Sequence, residues 1–193
     1  MKLAVVVGHE KVKPGARIGA PLNTYEYAYN TQVASVLFMF ARDKKLECQV
    51  FFRDKIGISG VAKKVNEWTK KDAVSCVLEL HCNSAENKSA AGTETLFSMH
   101  NPLSIELARI VQADMCSLFK RDGKQNRGIK SLNDGDRGAV NLNLYDAPSV
   151  ICEPAFGSNA NDCHLLWANP TGYSRVLVNA TISFLEGIKN GKF

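Results

Sequence analysis

The sequence predicts an α/β fold: a single domain on a mostly parallel, twisted sheet, with helices over both faces. Three observations predict it. Short apolar runs alternate with amphipathic, helix-length segments along the whole 193-residue chain. Most of those runs are rich in Val, Ile, Phe and Cys, as strands covered on both faces are. No linker, repeat or low-complexity tract interrupts the pattern, and the length suits one domain with a sizeable core.

The elements follow in order. The apolar run Leu3 to Val7 is too short for the core of a signal peptide and ends in Gly-His-Glu, so Lys2–Val7 is the first strand. Residues 23–43 form the first helix, with Val33, Val36, Leu37 and Phe40 as its buried stripe. A strand over 47–53 precedes a helix over 59–70, for which Ser59 is a capping residue. Strands over 73–80 and 93–98 come next. The third helix opens at Asn101-Pro102, a capping residue followed by proline at the first helical position. Its stripe is Leu107, Ile110, Val111, Met115 and Leu118. The last strand covers 149–153. The last helix opens in the same way at Asn169-Pro170 and aligns Tyr173, Leu177, Ala180, Phe184 and Ile188.

Composition narrows the partners. With 45% hydrophobic and 22% charged residues the chain reads as globular and soluble. A net charge of +5 and a pI near 8.9 favour an acidic partner such as cell wall, nucleic acid or a membrane surface. The basic residues are scattered in pairs, such as Lys63-Lys64 and Lys70-Lys71, without interleaved aromatics, so nucleic acid is not expected. No stretch reaches the length of a membrane span. The protein is expected to be made in the cytoplasm and held there until released. Six cysteines (Cys48, Cys76, Cys82, Cys116, Cys152, Cys163) form no CxxC pair and read as free thiols in a reducing compartment.

In parallel sheets ligands bind beyond the carboxyl ends of the strands. Three strands deliver a ligand or an acid there: "KLAVVVGHE" brings His9, "AVSCVLELH" brings His81 and "SVICEP" brings Glu153. Catalytic zinc takes three protein ligands and leaves a position open. Glu26, in "NTYEYAYN" at the start of the first helix, supplies a carboxylate where the helix dipole favours one. His9, Glu26 and His81 would hold one zinc ion, and Glu153 would serve as general base and acid. The spacing is long and less specific than a compact HExxH, so alternatives stay open. Either histidine could be a hydrogen-bonding loop residue, Glu26 a solvated helix residue, and Glu153 a simple strand end. Glu10 could replace Glu26. Cys82 could compete for metal, although neighbours in an extended strand point opposite ways. Either of His100 and His164 could also be a ligand, but neither ends a predicted buried strand, so the ordinary reading is preferred for both.

These residues resemble the zinc-dependent N-acetylmuramoyl-L-alanine amidases of the type 3 family, the amidases of bacterial autolysins and phage endolysins. The resemblance runs through "GHE", "YEYAYNTQVASVL", "CQVFFRD", "LELHCNS", "AGTETLF", "NRGIK" and "APSVICEPAFGSN", nearly the whole chain. It implies zinc ligands at His9, Glu26 and His81 and a catalytic glutamate at Glu153. It also implies cleavage of the amide between the lactyl group of N-acetylmuramic acid and the L-alanine of the stem peptide in peptidoglycan. Arg127 would bind a stem-peptide carboxylate, and Asn83 would orient a ligand or the peptide backbone. The chain departs from the family in Glu10-Lys11, where a Gly-Gly pair is common, and in Glu79 and Cys82 around the second histidine. A phage or prophage endolysin is expected, reaching the wall when a holin opens the membrane. It would be a monomer with no separate wall-binding module. A mother-cell lytic amidase of a spore former would look alike. Two rivals remain at this point: a zinc peptidase or amidohydrolase of related fold, and a non-catalytic peptidoglycan-binding protein.

Overall fold

The computed structural model describes residues 1–70 and 74–193. The order of elements is β1 (Lys2–Val7), β2 (Arg17–Ile18), β3 (Thr24–Tyr25), α1 (Glu26–Asp43), β4 (Glu47–Phe52), α2 (Gly57–Thr69), β5 (Ser75–Leu80), β6 (Thr93–Ser98), α3 (Leu103–Phe119), β7 (Asn126–Leu132), α4 (Ala139–Asn143), β8 (Ser149–Glu153), α5 (Ala160–Ala168) and α6 (Pro170–Lys189). A six-stranded sheet runs β4-β1-β5-β8-β6-β7, and β2 with β3 makes a separate two-stranded ribbon. Every pair in the large sheet is parallel except β6 with β8. The expected α/β architecture is therefore present, with one reversed contact.

Side-chain alternation divides the core in two. Leu3, Val5, Val7, Leu78, Leu80, Val150 and Cys152 pack on one face with α1, α3, α5 and α6. Ala4, Val6, Phe51, Val77 and Ile151 pack on the other with α2 and α4. Both faces are covered, which is why β1 and β5 are buried along their whole length. The stripes read from the sequence do the burying: Val33 and Leu37 on α1, Leu107, Val111 and Met115 on α3, Tyr173, Leu177 and Phe184 on α6. Each fully buried side chain of this size contributes roughly 1.5–3 kcal/mol.

Several boundaries differ from expectation. Helix α1 begins at Glu26 because Asn23 adopts φ +46° and Thr24–Tyr25 pair with the ribbon. The strand expected over 47–53 stops at Phe52, one residue before Arg53. Helix α2 opens at Gly57, so Ser59 lies inside it and caps nothing. In the strand expected over 73–80, Ala73 lies outside the described residues. Helix α3 begins at Leu103, so Pro102 holds the cap position and not the first helical one, and Asn101 sits one residue earlier with its Oδ1 accepting the Leu103 amide at 3.1 Å. Asn169 places Pro170 at the first position of α6 but makes no side-chain cap there. The "NRGIK" segment, not expected to be a strand, forms β7 at the sheet edge. All six cysteines are free thiols, and five of them are buried.

Register aligns the site. Val7 lies opposite Leu80, and Leu80 opposite Cys152, so β1, β5 and β8 end at one level. Because β6 runs the other way, its first residues reach the same edge, and Glu94 lies opposite Glu153.

Candidate metal centre

His9 follows β1 by one glycine. Its backbone sits at φ +68°, in the left-handed region that few side-chain-bearing residues adopt. Two glycines make room for it. A Cβ on Gly8 would lie 2.5 Å from the His81 ring and 2.6 Å from the Leu80 carbonyl oxygen, so only glycine lets this loop lie against His81. Gly15, at φ +79°, would place a Cβ 2.5 Å from the His9 ring. The two imidazoles meet edge to face, with centroids 4.9 Å apart.

Glu26 opens α1 and is buried, not solvated. Its Oε1 accepts the Ala16 amide at 2.8 Å and its Oε2 the Cys82 amide at 3.2 Å. The same Oε2 lies 3.1 Å from His9 Nε2 and 3.4 Å from His81 Nδ1. One donor atom from each of His9, Glu26 and His81 falls within 4.8 Å of the others. Two imidazoles and a carboxylate converging in this way are a donor set suited to zinc.

The electrostatics fit a cation there. Burial alone would raise the Glu26 pKa, but hydrogen bonds to His81 and His9 outweigh it and hold the carboxyl well below the usual range. Burial would lower that of His81, yet its contacts with Glu26 and Glu79 raise it to about 10. The carboxylates thus call for positive charge at the point where the three donor atoms meet.

Glu153 ends β8 in the same cleft, which encloses about 550 Å³. Burial pushes its carboxyl up to about 8; His81 offsets part of this, and the charges of Glu26 and Glu94 add to it. Its Oε2 is buried with no hydrogen-bond partner among the described residues.

A family model of N-acetylmuramoyl-L-alanine amidases matches residues 3–177. The chain belongs to the type 3 family of N-acetylmuramoyl-L-alanine amidases. A search of curated proteins by sequence finds no match. Three solved structures show how widely the amidase fold is shared. An N-acetylmuramoyl-L-alanine amidase from Clostridium difficile 630 superposes with a TM-score of 0.79 at 23% identity, covering 96% of each chain. The catalytic domain of CwlV, an amidase from Bacillus (Paenibacillus) polymyxa var. colistinus, gives 0.79 at 20% identity over 96% of this chain and 99% of the other. The catalytic domain of the CD27L endolysin, targeting Clostridia difficile, gives 0.74 at 24% identity over 95% and 97%.

Of the two other residues expected at the site, Asn83 lines the cleft and Arg127 does not. Asn83 donates from Nδ2 to Glu94 Oε1 at 2.5 Å. Arg127 stands behind Glu94, donating from Nε to its Oε2 at 2.6 Å and stacking over Phe156; it is not part of the cleft lining. Arg137, which the sequence reading passed over, lines the cleft instead. Glu10 and Cys82 are not in the converging donor set. His100 is exposed beside Asp134, and His164 is exposed on α5. Glu79 and Glu94 also escaped a functional reading. The signal for Glu79 was visible: one acid inside the apolar strand "SCVLEL" needs a buried partner.

Proposed function

We infer that the protein is a zinc hydrolase that cleaves the amide between the lactyl group of N-acetylmuramic acid and the L-alanine of peptidoglycan stem peptides. The observation that carries this reading is the buried oxygen of Glu153, unpartnered among the described residues, in the same cleft as three converging ligand atoms. A carboxylate held near neutral pKa, with one oxygen free, is built to accept and return a proton. His9, Glu26 and His81 are the residues that would hold the metal. When bound, zinc supplies Lewis acidity that polarises the scissile carbonyl and the attacking water.

The chain's own residues do the rest. Glu153 Oε2 takes the proton of the attacking water, and the protonated carboxyl then gives it to the alanine nitrogen as the C–N bond breaks. Glu26 is locked by two backbone amides, so it holds its position while charge shifts. Asn83 and Arg127 keep Glu94 tied back on the cleft wall. Arg137 is exposed at the cleft and presents a cation to the stem-peptide carboxylates. We assign the enzyme a lytic role of the endolysin kind, made in the cytoplasm and acting on the wall once released through a holin. Its +5 charge supports dwell on that anionic surface.

Mass spectrometry of fragments released from purified peptidoglycan tests the reading. Free stem peptides beginning in L-alanine are expected, lost with a chelator and restored by zinc. Glu153→Gln is expected to retain zinc and lose release by at least 100-fold. Fragments cut at a peptide bond would instead make the protein a peptidase. Binding to sacculi with no release would make it a wall-binding protein.

A further inference from the structure

The geometry points to Glu79 as a positioning residue for the metal centre: it holds the proton on His81 Nε2 and so aims the bare Nδ1 at the ion. This rests on the metal reading above. Glu79 and His81 are two residues apart on and just beyond β5, so their side chains share a face of the sheet. Glu79 has no solvent exposure at all. Its carboxylate is ringed by donors. Oε1 receives Asn141 Nδ2 at 2.7 Å and the Arg53 guanidinium, and Oε2 receives the Tyr145 hydroxyl at 3.0 Å. His81 Nε2 stands 2.9 Å from Oε1.

A carboxylate receiving three donors has no proton to give. The imidazole nitrogen that faces it must therefore be the donor, N–H to O. In the neutral ring this leaves Nδ1 as the lone-pair nitrogen, and Nδ1 is the atom that lies 3.4 Å from Glu26 Oε2. The ring is thus fixed in direction, and the proton it gives up when an ion binds is the one on Nδ1, not the one held by Glu79. The anchors of Oε1, the oxygen that meets the ring, come from separate segments, Arg53 just after β4 and Asn141 on α4, and they hold it from both flanks of the cleft. A buried acid is costly wherever packing alone is needed. Its placement against a ligand's second nitrogen gives this one a task that apolar packing could not perform.

The test combines zinc affinity with the state of the ring. Zinc dissociation constants are measured by chelator competition for the parent, Glu79→Gln and Arg53→Met/Glu79→Gln. The double variant removes the buried guanidinium that the single one leaves without its counter-charge. Both are expected to bind zinc about 10- to 100-fold more weakly. Tyr145→Phe loosens the same cluster without touching Oε1, and is expected to lose stability while keeping zinc affinity within about threefold. In zinc-loaded parent labelled with ¹⁵N-histidine, His81 is expected to show a slowly exchanging Nε2 proton and a metal-bound Nδ1. A ring bound through Nε2, or Glu79 variants that keep parental affinity, would overturn the assignment. The parent's ring decides the matter even if a variant does not fold. A parent that fails to compete for zinc would overturn the metal reading itself.

Discussion

Replacing Glu153 by glutamine should change how the stability of the metal-free protein depends on pH. In the folded chain the carboxyl has been pushed from an ordinary 4.5 up to about 8, chiefly by burial. Below pH 4.5 the group is protonated in both folded and unfolded states and has no effect. Between 4.5 and 8 the unfolded chain releases the proton while the folded chain keeps it, so the unfolded state binds fewer protons and stability falls as pH rises. Above 8 the loss is complete. At about 1.4 kcal/mol per tenfold change in proton affinity, the limiting loss is about 4 to 5 kcal/mol, and water reaching the cleft brings the expected figure to about 2 to 3 kcal/mol. Glutamine is neutral throughout and escapes this loss. Urea midpoints of parent and variant, with chelator present, should nearly coincide at pH 5 and separate in favour of the variant by pH 9. A gap independent of pH, or one in which the parent gains on the variant as pH rises, would refute the burial of Glu153 as the cause.

Other perturbations reach different parts of the fold. Asp162 is buried, pairs with Arg121 at 2.5 Å and accepts the amides of Gly92 at 3.0 Å and Phe156 at 2.8 Å; Asp162→Ala should cost about 3 to 5 kcal/mol in urea unfolding, and a loss below about 1 kcal/mol would show the pair to be dispensable. Gly8→Ala forces a methyl into the His81 ring and the Leu80 carbonyl; zinc affinity should fall at least tenfold as the two histidines separate, and unchanged affinity in the chelator assay would mean that the loop yields freely. Salt shortens the screening length from about 10 Å at 0.1 M to about 3 Å at 1 M, so release from intact wall should fall several-fold over that range, while cleavage of a small soluble muropeptide should hardly change.

What the sequence disclosed, and what it hid, follows from the range of the interactions involved. β1, β6 and β8 have the expected bounds, and the helical stripes on α1, α3 and α6 are the ones that pack, because local periodicity records burial directly. His9, His81 and Glu153 were legible as polar residues closing apolar runs. Glu26 gave no such signal: its burial depends on the Ala16 and Cys82 amides, which only the folded chain brings to it. β7 escaped notice because it is an edge strand of mixed polarity with Gly128 at φ +76° inside it. The five residues of α4 are too few to show a helical period. The partners of Glu79 lie 26 and 62 residues away at Arg53 and Asn141, and no spacing rule connects them.

The reversed strand β6 has a consequence for how this scaffold can vary. A parallel neighbour would oblige the chain leaving β5 to travel back across the sheet, usually through a helix. Here β6 starts at the edge where β5 stops, so residues 81–92 need only pass over the end of β8. Residues 81–84 and Gly92 are tied to the cleft and to Asp162, and between them the Ala85 amide reaches Ser158 Oγ at 3.1 Å and the Lys88 carbonyl accepts Asn159 Nδ2 at 2.8 Å. Beyond Ser84 this segment is free of any crossover requirement, and its length can change at the modest entropic cost of a longer surface loop. The surface next to Ser84, where the cleft lining ends, can therefore be rewritten by insertion or grafting while the strands that carry His9, His81 and Glu153 keep their register.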